Sequence, residues 1–289
     1  MKYVVENPFV LALFSGLILL GCESDVEEIG GCKFPQSMDA YELVWNDEFD
    51  GTEIDESKWS YDIGDGCQIS NDLCGWGNNE LQYYTAREEN AYIEDGKLVI
   101  KAIKETPLYL GEHQYTSSRM VTKNKGDWTY GRMDIRAKVP IGKGMWPAIW
   151  MLPTDTVYGG WPRSGEIDIM EYVGDVPDEV FGTIHYGHNA WYYNSQIIEK
   201  ETGTYHDEFH TYTAIWNEEC IQFQVDGENI GVPNNPSTAL RDNTTWPFDQ
   251  RFHMLLNVAV GGNLPGAPDE TTQFPQKLEV EYVRVYQEK

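Results

Sequence analysis

The run Tyr130-Gly131-Arg132-Met133-Asp134-Ile135-Arg136-Ala137-Lys138-Val139 decides the fold class. Gly131, Met133, Ile135, Ala137 and Val139 fall on one parity; Arg132, Asp134, Arg136 and Lys138 fall on the other. Successive side chains of a strand point to opposite faces, so this period predicts a half-buried strand. The same pattern continues outward along the chain. Ile221-Gln222-Phe223-Gln224-Val225 alternates and runs into Asp226-Gly227, a hairpin signal. Lys97 to Lys104, Phe252 to Val260 and Leu278 to Tyr286 read as further strands, and no window holds a long helical period. Many short strands between Gly, Pro and Asn turns predict an all-β fold. The expected form is two packed, curved antiparallel sheets in a sandwich or jelly roll. The first strand, Tyr41 to Trp45, and the last, Leu278 to Tyr286, are expected to pair. No internal boundary is visible, so residues 41–289 are expected to form one domain.

The first residues read differently. Lys2 precedes an apolar run from Phe9 to Leu20, broken only by Ser15 and Gly16. It is too short to span a bilayer and reads, over residues 1–21, as a signal peptide. Its end, Leu19-Leu20-Gly21-Cys22, resembles the lipobox of bacterial lipoproteins, which implies a lipid on Cys22. Residues 22–40 then read as a polar tether, with Glu23, Asp25, Glu27 and Glu28 followed by Gly30-Gly31 and Pro35. The acidic start resembles the export signal of surface-exposed lipoproteins in the Bacteroidetes. The expected location is the bacterial cell envelope, with the membrane reached through the lipid alone. With Cys22 set aside, Cys32, Cys67, Cys74 and Cys220 remain, and four cysteines allow three pairings. Cys67 and Cys74 share one Gly- and Asp-rich loop and are the expected pair.

Charge narrows the function. A formal charge of −26 leaves no basic stripe to neutralise phosphates, which argues against a nucleic-acid partner and for a neutral or cationic substrate. Ten Trp and eighteen Tyr supply more flat ring surface than a core needs, as sugar-binding clefts do.

Chemistry gathers at Gly165-Glu166-Ile167-Asp168-Ile169-Met170-Glu171-Tyr172. On a strand Glu166 and Asp168 share a face, and Glu171, an odd step away, does not. One β-bulge after Asp168 would return Glu171 to that face, and bulges gather beside active sites. Two glutamates then lean toward each other at about 5 Å, the carboxylate spacing of a retaining glycosidase. Around this hexamer stand several candidates for binding. Asn79 lies in the turn of Trp76-Gly77-Asn78-Asn79-Glu80, and Arg119 follows Tyr115-Thr116-Ser117-Ser118. Trp146 and Trp150, four apart, share one face of a strand, Trp161 sits in a loop beside Gly159-Gly160 and Pro162, and His185 ends a strand. Taken alone, Arg119 reads as a surface charge, Trp146 and Trp150 serve a core equally well, and His185 reads as structural.

Together these pieces resemble glycoside hydrolase family 16, in its laminarinase (endo-1,3-β-glucanase) branch. The resemblance spans roughly Tyr41 to Gln287. It rests on Trp45-Asn46-Asp47-Glu48-Phe49-Asp50, the segments Trp76 to Tyr84 and Tyr115 to Arg119, and Trp128-Thr129-Tyr130-Gly131. It continues through Gly142 to Leu152, Gly165 to Glu171, Gly182 to Tyr186, Trp246 to Gln250 and Val283 to Gln287. It implies a concave cleft on one sheet, with Glu166 as nucleophile, Glu171 as general acid/base and Asp168 between them as helper. Asn79, Arg119, Trp146, Trp150, Trp161 and His185 would contact sugar. The implied substrate is a β-1,3-glucan or mixed-linkage β-glucan, cut by a monomer without a catalytic cofactor. The alternatives are a non-catalytic β-glucan-binding protein and a related hydrolase of galactans. The resemblance also implies a structural calcium on the far face, held by Glu48, the carbonyl of Gly96 and Glu281. Glu281 stands where many relatives have Asp, and Leu264 where relatives often carry Trp.

Overall fold

The computed structural model describes residues 26–188, 190–239 and 246–289. Among them, strands form an eight-stranded sheet, a ten-stranded sheet and a separate two-stranded hairpin. The eight-stranded sheet runs, edge to edge, through Tyr192–Glu199, Glu179–Tyr186, Glu166–Glu171, Met145–Pro153, Phe252–Val260, Arg119–Val121 and Ser60–Tyr61, with the eighth strand, Asp127–Trp128, paired to Phe252–Val260 off this path. In the ten-stranded sheet Gly131–Lys138 lies between His210–Trp216 and Gln276–Glu288. Its Met133, Ile135 and Ala137 are buried, as their parity predicts. The Ile221–Val225 strand turns through Asp226 and Gly227, both with positive φ, into Glu228. Tyr41–Asp47 pairs antiparallel with Gln276–Glu288, which joins the two ends of the sandwich. The apolar faces of the two sheets meet in one core that includes Ile100, Met133, Ile149, Ile167, Leu256 and Val283. This is the expected all-β jelly-roll sandwich.

The expected tether is corrected in part. Val26–Ile29 and Cys32–Pro35 pair as a hairpin, turning through Gly30 and Gly31 at φ 58° and 83°. A Cys32–Cys220 disulfide fixes it to the body, and Phe34 is buried with Ile215 in a small cluster of its own. Folded structure thus begins by Val26, not Tyr41. The polar pattern misled because the hairpin's anchor is a cysteine 188 residues away. The second disulfide is Cys67–Cys74, as expected. The signal peptide at 1–21 and the lipid attachment at Cys22 lie outside the described residues. No helix among the described residues is long and apolar enough to cross a membrane.

Candidate active site

Strand Glu166–Glu171 lies within the eight-stranded sheet, entered through Gly165 at φ 83°. A Cβ there would come within 2.9 Å of the Phe248 ring, so only glycine makes this entry. Against its neighbour, Glu166 pairs with His185, Asp168 with Thr183 and Glu171 with Phe181. Three residues after Asp168 thus match two on the partner strand. On the other side Ile149 pairs with Met170 and Trp150 with Asp168, which leaves Ile169 as the extra residue. This is the bulge that parity required, and it sets Glu171 on the face of Glu166 and Asp168.

Each carboxylate has its own partners. Trp161 Nε1 donates to Glu166 Oε2 at 2.9 Å, and Trp146 Nε1 donates to Glu171 Oε1 at 3.1 Å. His185 Nε2 lies 3.0 Å from Asp168 Oδ2 and 3.8 Å from Glu166 Oε1. Burial pushes Glu166 up to about 8, with the Asp168 charge adding to it. Asp168 stands well above the usual carboxylate range, again through burial and then the Glu171 charge. Glu171 is raised by burial, against the opposing effects of His185 and of hydrogen bonds from Trp146 and Thr183. Three carboxyls this close titrate as one set. Asp168, the most buried, is within hydrogen-bonding reach of Glu166. Their hydrogen bond lowers the Asp168 carboxyl, so Glu166 is the donor to Asp168 when substrate is absent. Three acids that share protons on one face are what a nucleophile and an acid require.

The binding candidates converge on the same face with different roles. Trp146 and Trp150 are half-buried and use their indole N–H on Glu171 and Asn257, so neither is a simple core residue. Trp161 is 55% exposed at the rim. Arg119 is not a surface charge. It is buried, its guanidinium sandwiched 4.5 Å from the Trp76 ring and 4.6 Å from Trp150, with Asp62 at 3.1 Å. A cation between two indoles fixes both rings. His185 faces the carboxylates and is not merely structural. Asn79 occupies a left-handed turn and donates to Asn263 Oδ1 at 2.7 Å, which ties its loop to the loop of Leu264. Leu264 itself is exposed.

Sequence reasoning missed Trp76, Asn257 and Trp191. Asn257 was visible as the lone amide inside the apolar strand Phe252–Val260. Trp191 stood in the aromatic run Trp191-Tyr192-Tyr193, and its indole meets the His185 ring.

The expected cation site does not fit as it stands. Glu48 accepts from Arg284 at both oxygens, at 2.9 and 2.7 Å, and Glu281 accepts from Arg136 at 2.6 Å. Each carboxylate is already neutralised by a guanidinium, and Gly96 adds only a carbonyl.

The profile of Glycosyl hydrolases family 16 matches residues 78–284. The chain is 41% identical over 284 residues to a glucan endo-1,3-β-glucosidase A1 of Niallia circulans, covering 92% of this chain but 41% of that protein. It is 44% identical over 295 residues to a β-glucanase of Rhodothermus marinus, covering 99% of this chain and 95% of that one. Among solved structures, the laminarinase catalytic domain of Thermotoga maritima superposes with a TM-score of 0.78 at 42% identity, over 86% of this chain and 99% of that domain.

Proposed function

From the premise that the chain belongs to glycoside hydrolase family 16, we propose that it is a retaining endo-hydrolase of β-1,3-glucan or mixed-linkage β-glucan. One observation carries the proposal. The bulge at Ile169 brings Glu171 onto the face that already holds Glu166 and Asp168. Trp161 holds one oxygen of Glu166 and leaves Oε1 free to attack the anomeric carbon. Glu171, whose neutral form is favoured by burial, protonates the departing glycosidic oxygen. The resulting glycosyl ester on Glu166 is then opened by water, from which Glu171 takes a proton. All three acids are in place, which favours the enzyme over a non-catalytic glucan-binding protein. Binding would rest on the exposed or half-exposed rings of Trp146, Trp150 and Trp161.

NMR of early products from laminarin should show the β-anomer first, and the α-anomer first would overturn the mechanism. Glu166→Ser should lower hydrolysis roughly 10⁴-fold or more, since no covalent intermediate can form. Export and a lipid anchor at Cys22 belong to the same proposal, supported by Leu19-Leu20-Gly21-Cys22 closing an apolar run. Calcium does not, because Arg284 and Arg136 already occupy the two carboxylates it would need.

A further inference from the structure

We propose that Trp191 is a positioning residue that fixes the tautomer of His185 and so aims an N–H at the Glu166–Asp168 pair. The proposal rests on the reading of that pair as catalytic. Trp191 Nε1 lies 3.0 Å from His185 Nδ1. The two rings are 23° from coplanar with centroids 5.7 Å apart, so they meet edge to edge and not face to face. The indole N–H is only ever a donor. His185 Nδ1 must therefore present its lone pair, and a neutral ring then carries its single hydrogen on Nε2. That nitrogen is the one 3.0 Å from Asp168 Oδ2 and 3.8 Å from Glu166 Oε1. Asp168 Oδ2 is buried, and although Nε2 lies 3.0 Å away the two form no aligned hydrogen bond, so their contact is electrostatic. The tautomer decides whether this oxygen faces a hydrogen or a second lone pair. Trp191 acts through His185 on the orientation and charge distribution of the pair.

A second consequence follows. Glu166, Asp168 and His185 each place one ligand atom within 4.8 Å of the others. Two carboxylates and an imidazole suit zinc or copper. Such an ion would take the Nε2 lone pair and force the ring hydrogen onto Nδ1, against the indole N–H. Trp191 thereby also protects the nucleophile's oxygens from capture by a metal.

The test uses Trp191→Phe in the full chain, which keeps an aromatic ring and removes the donor. Histidine ring ¹⁵N NMR at pH 8.5, with His185→Asn to assign the signal, should show only the Nε2–H form in the parent and a tautomer mixture in the variant. On laminarin, kcat should fall on the order of tenfold with KM little changed, the scale of an outer-shell partner. Zinc should inhibit the variant at concentrations the parent tolerates. An unchanged His185 spectrum overturns the proposal. So does a raised KM at unchanged kcat, which marks a ring that only stacks on sugar. A parent inactive on every β-glucan, yet with the tautomer shift intact, would count against the assigned activity and not against Trp191.

Discussion

Burial works against the native state at Glu166. Its carboxyl is raised to about 8, so the folded chain holds this proton more tightly than the unfolded chain, where a glutamate titrates near 4.5. A raised carboxyl contributes its full stability below the unfolded value, and that contribution is lost as pH climbs from about 4.5 to about 8. Glu166→Gln removes the ionisable group and keeps its shape. Its thermal midpoint should match the parent's near pH 4.5 and exceed it near pH 8. Each kcal/mol recovered is worth roughly 2–4 °C in a domain of this size. A pH-independent difference between the two melts would show that Glu166 is not destabilised by its site. The bulge was legible in the sequence as the device that would bring Glu171 beside Glu166, whereas the roles of the acids came from the family resemblance. Their partners were less legible. Arg119 and Trp76 become neighbours only when loop and sheet fold together, and no local pattern reports a cation between two rings distant in sequence.

At the scale of elements, the strands were read in place but not always to their ends, since Lys97–Tyr109 and Gln276–Glu288 outrun the expected Lys97 to Lys104 and Leu278 to Tyr286. Phe252–Val260 and Ile221–Val225 form with the expected bounds, and both are buried almost throughout, with partners on either side that fix their register. The hairpin at Val26–Pro35 was not read, because it is polar and owes its place to Cys220 and Phe34. Phe34 gives about 1.5–3 kcal/mol of burial, and side-chain bonds from Asn217 to Lys33 and from Asn235 to Gly30 add to it. That falls well short of the backbone entropy a hairpin over 26–35 loses, on the order of 10–20 kcal/mol. Its cluster is separate from the main core. Without the disulfide it should therefore open locally while the sandwich persists. In a Cys32→Ala/Cys220→Ala variant, amides of 26–35 should exchange at nearly unprotected rates, and the main thermal transition should move by only about 2 °C. A far larger drop in the main transition would show that the hairpin is integral to the core.

For the whole molecule, charge decides how it can meet a membrane. The chain carries 47 acidic against 21 basic residues, a formal −26. A peripheral protein held by anionic lipids needs clustered Lys and Arg, each worth about 1 kcal/mol near the surface. Here the long-range force at an anionic surface is repulsive, and among the described residues no helix can span a bilayer. On the proposed lipidation of Cys22, retention in the envelope would rest on its acyl chains, and more than one chain gives a stable anchor where one does not. Two outcomes follow together. High salt should leave the parent in the membrane fraction, since no electrostatic attachment exists for it to screen. Cys22→Ser should release the protein into the soluble fraction while kcat/KM on soluble laminarin stays within about twofold, because Cys22 precedes the first described strand, Val26–Ile29, and is remote in sequence from the catalytic strand. A Cys22→Ser protein that remains with membranes would remove the lipid anchor from this account and leave the catalytic assignment untouched.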